Sequence, residues 1–131
     1  MRRVTIIIGL LTCLWSCKSN SQKDLNSAID DYRSEILGEW VLENDVTTKL
    51  EFFDTGKVNF YEEGQLVRNE NYLITVSCDG ETISDGGLFL KLFKSESDVF
   101  CSYIEGINFN NNGLMSLMTK NQGKIIVYKR P

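Results

Sequence analysis

The hydrophobic residues of this chain change their spacing near Gly38. Upstream of that glycine they recur every three or four residues, at Leu25, Ala28, Ile29, Tyr32 and Ile36. This spacing puts the apolar side chains on one face of a helix and leaves the acidic residues between them on the other. The sequence therefore predicts one short amphipathic α-helix that is capped by Asp24 and ends at Gly38.

After the helix, apolar residues alternate with polar ones in short runs that turn residues separate. Alternation at every second position is typical of strands with one buried face and one wet face. Tyr72, Ile74 and Val76, for example, are predicted to share a core face. The pattern predicts strands at residues 39–43, 47–53, 57–62, 70–77, 88–94, 99–104, 114–119 and 124–129.

The connections between these strands are mostly short, as in Asp54-Thr55-Gly56, which favours antiparallel hairpins between neighbours. Eight such strands leave exposed edges unless the last strand pairs with the first. The sequence therefore predicts a mainly β protein, an eight-stranded antiparallel up-and-down barrel preceded by the short α-helix. A flattened β-sandwich of the same strands is the alternative.

The first residues have the pattern of an export signal. Arg2 and Arg3 precede an apolar run at residues 4–14, and the small Ser16 stands directly before Cys17. This arrangement is similar to a bacterial lipoprotein signal peptide, in which the cysteine is acylated and becomes the mature N-terminus. The run is shorter than the roughly twenty residues that a membrane-spanning helix needs. An ordinary secretory signal that is cut elsewhere is the alternative.

This interpretation divides the chain into three parts. Residues 1–16 form the signal peptide, residues 17–23 contain the lipidated Cys17 and a flexible tether, and residues 24–131 form one barrel domain with its helix. Acyl chains on Cys17 would hold the domain at a membrane surface. We therefore expect the protein in the bacterial cell envelope, at the outer membrane rather than the inner one, facing the periplasm or the cell surface.

Charge and residue types narrow the possible functions. Without Arg2 and Arg3, the chain keeps 12 basic and 18 acidic residues, a net charge of about −6, which argues against nucleic acid as a partner. The chain contains no histidine, the commonest general base, and its serines lack a nucleophile-elbow pattern. Asp54-Thr55-Gly56 has the letters of an aspartic-protease loop but suits a hairpin turn better. We expect neither an enzyme nor a cofactor.

Two cysteines, Cys78 and Cys101, remain in the predicted barrel domain. Two thiols in an oxidising compartment predict one disulfide, with two separately buried free thiols as the alternative. Two thiolates without histidine do not complete a tetrahedral zinc shell, so no metal site is expected.

Gly38-Glu39-Trp40 resembles the Gly-x-Trp signature that opens the first strand of lipocalins. In that family the tryptophan closes one end of the barrel, and a basic residue late in the last strand stacks across it. The resemblance implies that role for Arg130, with Lys129 as the second choice. More narrowly, the chain resembles the small lipocalin-like lipoproteins of Bacteroidetes.

The resemblance implies non-enzymatic binding of a small, partly apolar ligand in the interior or at the open end of the barrel. Alternation predicts the residues that would line that site, namely Phe52, Phe60, Tyr72, Ile74 and Leu90. The alternative function is a protein-interaction lipoprotein with a filled barrel, whose loops, including residues 108–113, dock an envelope or secreted protein. We expect a monomer in either case.

Overall fold

Eight antiparallel strands close into a barrel behind one helix. The structure, a computed structural model, describes residues 20–131, so the predicted signal peptide and Cys17 lie outside the described residues. The elements are α1 (Asn20–Glu35), β1 (Gly38–Leu42), β2 (Asp45–Phe52), β3 (Lys57–Glu62), β4 (Gln65–Thr75), β5 (Ser77–Cys78), β6 (Glu81–Thr82), β7 (Phe89–Ser95), β8 (Asp98–Ile107), a 3₁₀ turn (Phe109–Asn111), β9 (Leu114–Thr119) and β10 (Ile125–Lys129).

The last strand pairs with the first. Around the barrel the strands follow the order β1, β10, β9, β8, β7, β4, β3, β2, and the ring closes between β2 and β1. Val41 lies opposite Lys129 and Leu42 opposite Tyr128 where β1 meets β10. The predicted mainly β barrel with its preceding helix is confirmed, and the flattened sandwich is wrong.

The helix begins earlier than the sequence pattern suggests. α1 starts at Asn20, so Asp24 lies inside the helix rather than at its N-terminal cap. Residues 20–23 are helical, in contrast to the flexible tether that the sequence predicts for residues 17–23. The helix ends at Glu35, and Gly38 is already the first residue of β1. The apolar face of α1 packs through Leu25, Ala28, Ile29 and Tyr32 against the barrel core.

The strand between residues 65 and 78 also differs from its prediction. β4 begins at Gln65, five residues earlier than expected, and leaves the barrel after Thr75. Val76 is therefore not on the core face: it is 40 % exposed, because the chain turns there into the separate β5–β6 hairpin. That small hairpin was not predicted.

The two ends of the barrel differ. At the closed end lie α1, the turn at residues 53–56, the loop at 83–88 and the loop at 108–113. At the open end lie the short connections at residues 43–44, 63–64, 96–97 and 120–124. A single buried cluster fills the interior towards the closed end, consisting of Ile36, Trp40, Leu50, Phe52, Val58, Ile74, Leu88, Leu90, Ile104, Ile107, Met115 and Leu117.

Cys78 and Cys101 form the predicted disulfide, with their Cα atoms 6.0 Å apart. The bond joins β5 to β8 and packs against the buried Phe89. It thereby fastens the extra hairpin, which pairs with no barrel strand among the described residues, to the barrel wall.

Replacing both cysteines by serine is expected to lower the free energy of unfolding by about 3 kcal/mol, because the unfolded chain regains the entropy of a 23-residue loop. Urea unfolding of the two proteins, with and without reductant, measures the difference. Reductant should shift the wild-type midpoint and leave that of the double variant unchanged. Equal stability of the two proteins would contradict the prediction.

Candidate functional site

Trp40 and Arg130 seal the closed end. The Trp40 side chain is fully buried, and its indole N–H donates to the carbonyl of Ile36 at 2.7 Å. The guanidinium carbon of Arg130 lies 3.8 Å from the centre of a Trp40 ring, a cation–π contact that contributes about 0.5–2 kcal/mol. The terminal nitrogens of Arg130 also donate to the backbone carbonyls of Glu35, Leu37 and Glu39.

Gly38 leaves room for the Arg130 side chain beside Trp40. Its φ of +95° is a conformation that residues with a side chain rarely adopt, and an added Cβ would lie 3.2 Å from Nη1 of Arg130. Burial lowers the pKa of Arg130, while the Glu35 carboxylate acts in the opposite direction, and the guanidinium stays charged at neutral pH. The Gly-x-Trp residues and Arg130 thus form one closed cap.

The five residues predicted to line a ligand site lie in one contiguous cluster. Phe52, Ile74 and Leu90 are at most 3 % exposed, whereas Phe60 and Tyr72 are half-buried at its edge. The rings of Phe52 and Tyr72 meet edge to face, with their centres 4.9 Å apart. The three buried residues fill the interior at their level, and a ligand-binding role for the five stays a prediction.

Tyr72 leans towards the closed end, where its hydroxyl donates to the carbonyl of Phe53 at 2.6 Å. With Ile74 it lines a cleft of about 290 Å³ between α1 and the turn at residues 53–56. Burial raises the pKa of Tyr72. The nearby Arg33 lowers this pKa, and Asp54 raises it.

The loop at residues 108–113 presents one aromatic side chain at the closed end. Asn108, Asn110 and Asn111 all have positive φ, which Asn tolerates better than most residues, and Phe109 between them is 71 % exposed. The loop is fixed to the helix, because the Asn108 side-chain amide donates to the Glu35 carboxylate at 2.6 Å. Phe109 is therefore held outward on an ordered loop.

Inward-facing side chains near the open end are less buried than those of the interior cluster. Tyr128 lies opposite the buried Met115 in the β9–β10 register, so its side chain faces the interior, yet it is only half-buried. Leu92 faces the same interior, and Phe100, its partner on β8, is 48 % exposed. The inward-facing side chains near the open end therefore border solvent.

A cleft of about 310 Å³, here called the mouth cleft, lies at this end and is lined by residues 42–44 and 124–128. It forms because β1 ends at Leu42 and the chain turns away, while β10 begins farther out, at Ile125. Leu42, Ile126 and Tyr128 give the cleft an apolar inner wall.

Arg68 stands on the opposite wall, since β4 and β10 are four strands apart in the ring of eight. It lies opposite Phe60 in register, and its guanidinium carbon is 3.9 Å from the centre of that ring. Its Nε is 3.3 Å from a carboxylate oxygen of Glu70, whose side chain is 13 % exposed. Phe60 itself lies opposite the buried Leu50, which places Arg68 on the inner face.

The charge of Arg68 reaches across the barrel. Burial raises the pKa of the Tyr128 hydroxyl, and the positive charge of Arg68 acts against that rise. The open end thus has an apolar wall on β1 and β10 and, across from it, a charged wall formed by Arg68 and Glu70 of β4.

The sequence pattern did not reveal this site. Alternation predicts that polar residues such as Arg68 and Glu70 face solvent, so it did not indicate that they point inward. In addition, Arg68 lies outside every predicted strand. Ile126 and Tyr128 did alternate in the expected strand at residues 124–129, and that periodicity was the available signal for the apolar wall.

No protein-family model, curated protein or solved structure matches this chain. The function of the open end therefore has to be inferred from its own geometry. Within residues 20–131, the helix is too short and too polar to cross a membrane. The same part of the chain brings together no group of three or more histidine, cysteine or acidic side chains that could hold a metal ion.

Replacing Arg68 by glutamine is expected to raise the pKa of Tyr128 further, because the phenolate loses a nearby positive charge. Ultraviolet titration of tyrosinate, with a Tyr128→Phe variant to identify the signal, measures the change. Arg33→Gln is the matched control, since Arg33 acts on Tyr72 instead. A Tyr128 titration that is the same in Arg68→Gln and wild type would show that the two side chains do not face each other.

Proposed function

We propose that this protein binds a small, partly apolar ligand at the open end of its barrel and does not catalyse a reaction on it. The observation that carries the proposal is the apolar inner wall of the mouth cleft, whereas the cleft of similar volume at the closed end has Arg33, Ser34 and Asp54 in its lining. The closed half is filled by side chains such as Trp40 and Met115, which are 0 % exposed. At the open end, a cleft of about 310 Å³ has an apolar inner wall.

The size and lining of the mouth cleft fit this role. A volume near 300 Å³ is at the lower end of the range for small-molecule sites, which combine an apolar lining with a few placed polar groups. Leu42, Ile126 and Tyr128 would bury the apolar part of a ligand, at about 25 cal/mol for each Å² removed from water. The packed closed end would hold these walls in place without a contribution from the ligand.

We also propose that the chain is a lipocalin-like protein. The closed eight-stranded barrel supports this assignment, as does the stacking of Arg130 on Trp40 directly after Gly38. As in the sequence-based expectation, we propose a monomer.

The proposed location is the bacterial cell envelope, with the mature protein attached to the outer membrane through lipid on Cys17. Support comes from the basic and apolar pattern of the first residues and from Ser16 before that cysteine. α1 begins at Asn20, three residues after Cys17, so the anchor would lie close to the domain.

Changing Cys17 to serine is expected to abolish incorporation of labelled palmitate and to move the protein from the membrane pellet to the supernatant after cell fractionation. The reason is that the acyl chains would provide the membrane attachment. Cys13→Ser is the matched control, because Cys13 lies inside the predicted signal and should leave both measurements unchanged. Palmitate labelling that survives in the Cys17→Ser variant would contradict lipidation at this position.

A second candidate function is docking of a protein partner through the loop at residues 108–113. The specific observation in its favour is Phe109, an aromatic side chain that is 71 % exposed on an ordered loop. Exposed aromatic residues in fixed positions are frequent anchors of protein interfaces.

Ile126→Glu is expected to weaken binding of an uncharged apolar dye such as Nile red by at least about tenfold, because a carboxylate would enter the apolar wall of the mouth cleft. Fluorescence titration gives the dissociation constant, and thermal unfolding checks the fold. Val76→Glu is the matched control, since Val76 is 40 % exposed outside the barrel. Failure of the wild type to bind the dye, or equal binding by Ile126→Glu, would disprove the open-end site and favour the loop at residues 108–113.

A further inference from the structure

The guanidinium of Arg68 is held in place but only partly used. Its carbon Cζ lies 3.9 Å from the centre of the Phe60 ring, and its Nε forms an ion pair with Glu70 at 3.3 Å, so both neighbours restrain the side chain. Within residues 24–131, the ion pair of Arg68 with Glu70 is made by Nε, and Nη1 and Nη2 take part in no side-chain hydrogen bond. Two parallel N–H donors in a fixed plane match the geometry of a carboxylate or phosphate.

The exposure of the pair decides which charge a ligand meets first. The Arg68 side chain is 46 % exposed, whereas that of Glu70 is 13 % exposed, so the pair presents its positive member to solvent. Glu70 offsets part of the Arg68 charge and would repel a bound anion, so the paired N–H donors at Nη1 and Nη2, rather than a net positive charge, would recognise the ligand. Glu43 and Lys124 both line the mouth cleft, and their opposite charges offset each other.

The position of Arg68 relative to the apolar wall determines where the polar and apolar parts of a ligand would bind. Arg68 lies on β4, across the barrel from Tyr128 on β10, and its field acts on the Tyr128 hydroxyl. A molecule that bridges the open end would therefore meet donors on one side and apolar side chains on the other.

We infer that the ligand of the open end is an amphiphilic anion, with an oxyanion bound by Nη1 and Nη2 of Arg68 and an apolar part in the mouth cleft. This inference rests on the proposed ligand-binding function. The oxyanion chemistry is common to the carboxylate of a free fatty acid and to the phosphate of a lipid headgroup, and the experiment separates these two sources.

Calorimetric titration of the purified mature protein with decanoate, decyl phosphate and decanol tests the inference, because the three probes share one apolar chain. We expect at least one of the two anions to bind about tenfold tighter than decanol, the size of effect expected for hydrogen bonds to a charged group. Tighter binding of decanoate would indicate a fatty-acid ligand, and tighter binding of decyl phosphate a phospholipid headgroup.

Removal of Arg68 alone would leave the Glu70 carboxylate without its partner, so the variants change both residues. Glu70→Gln should keep the preference for the anion, whereas Arg68→Gln combined with Glu70→Gln should remove it and leave decanol binding unchanged. Arg33→Gln, at the closed end, is the control and should behave as wild type. If the double variant unfolds, Arg68→Lys keeps the charge but removes the paired donors, and it should lose most of the preference.

Two results would overturn the inference alone: decanol binding as tightly as both anions, or an anion preference that survives in the double variant. In both cases the proposed apolar site would stand, because decanol still binds. Failure of all three probes, decanol included, would instead overturn the proposed function together with the inference.

Discussion

The contact of Arg130 with Trp40 joins three parts of the chain that are far apart in sequence. The Arg130 guanidinium lies over the indole and donates hydrogen bonds to the backbone carbonyls of Glu35, Leu37 and Glu39. Those carbonyls lie at the end of α1 and the start of β1, while Arg130 follows β10. The helix, the first strand and the last strand are therefore fixed together at the point where the barrel must close.

The open end follows from the same closure. β1 and β10 pair at only two registered positions, so the seam is short, and Arg130 adds hydrogen bonds to its closed end. Away from the cap, β10 extends past the end of β1, and the mouth cleft occupies the space that a longer first strand would fill. The short length of β1 thus explains why the interior borders solvent at the open end.

The sequence allowed the barrel to be predicted because its core strands alternate regularly, and it allowed the disulfide to be predicted because few cysteines were available to pair. It did not reveal the start of β4, where Leu66 and Val67 are adjacent and both more than half exposed, so no alternation marks the strand. Val76 continued the periodicity after the chain had left the sheet. The charged wall could not be predicted because Arg68 faces inward at the solvent-exposed rim of the barrel, where an inward-facing polar residue costs little free energy.

The short seam between β1 and β10 also bears on motion. Beyond the two registered pairs, the next hydrogen bond along the seam joins the Glu43 N–H to the Val127 carbonyl. Separating this one bond would widen the open end without disturbing Trp40, and openings that break few contacts have low free-energy costs. The seam at the open end is therefore the part of the barrel wall that we expect to open at the lowest free-energy cost.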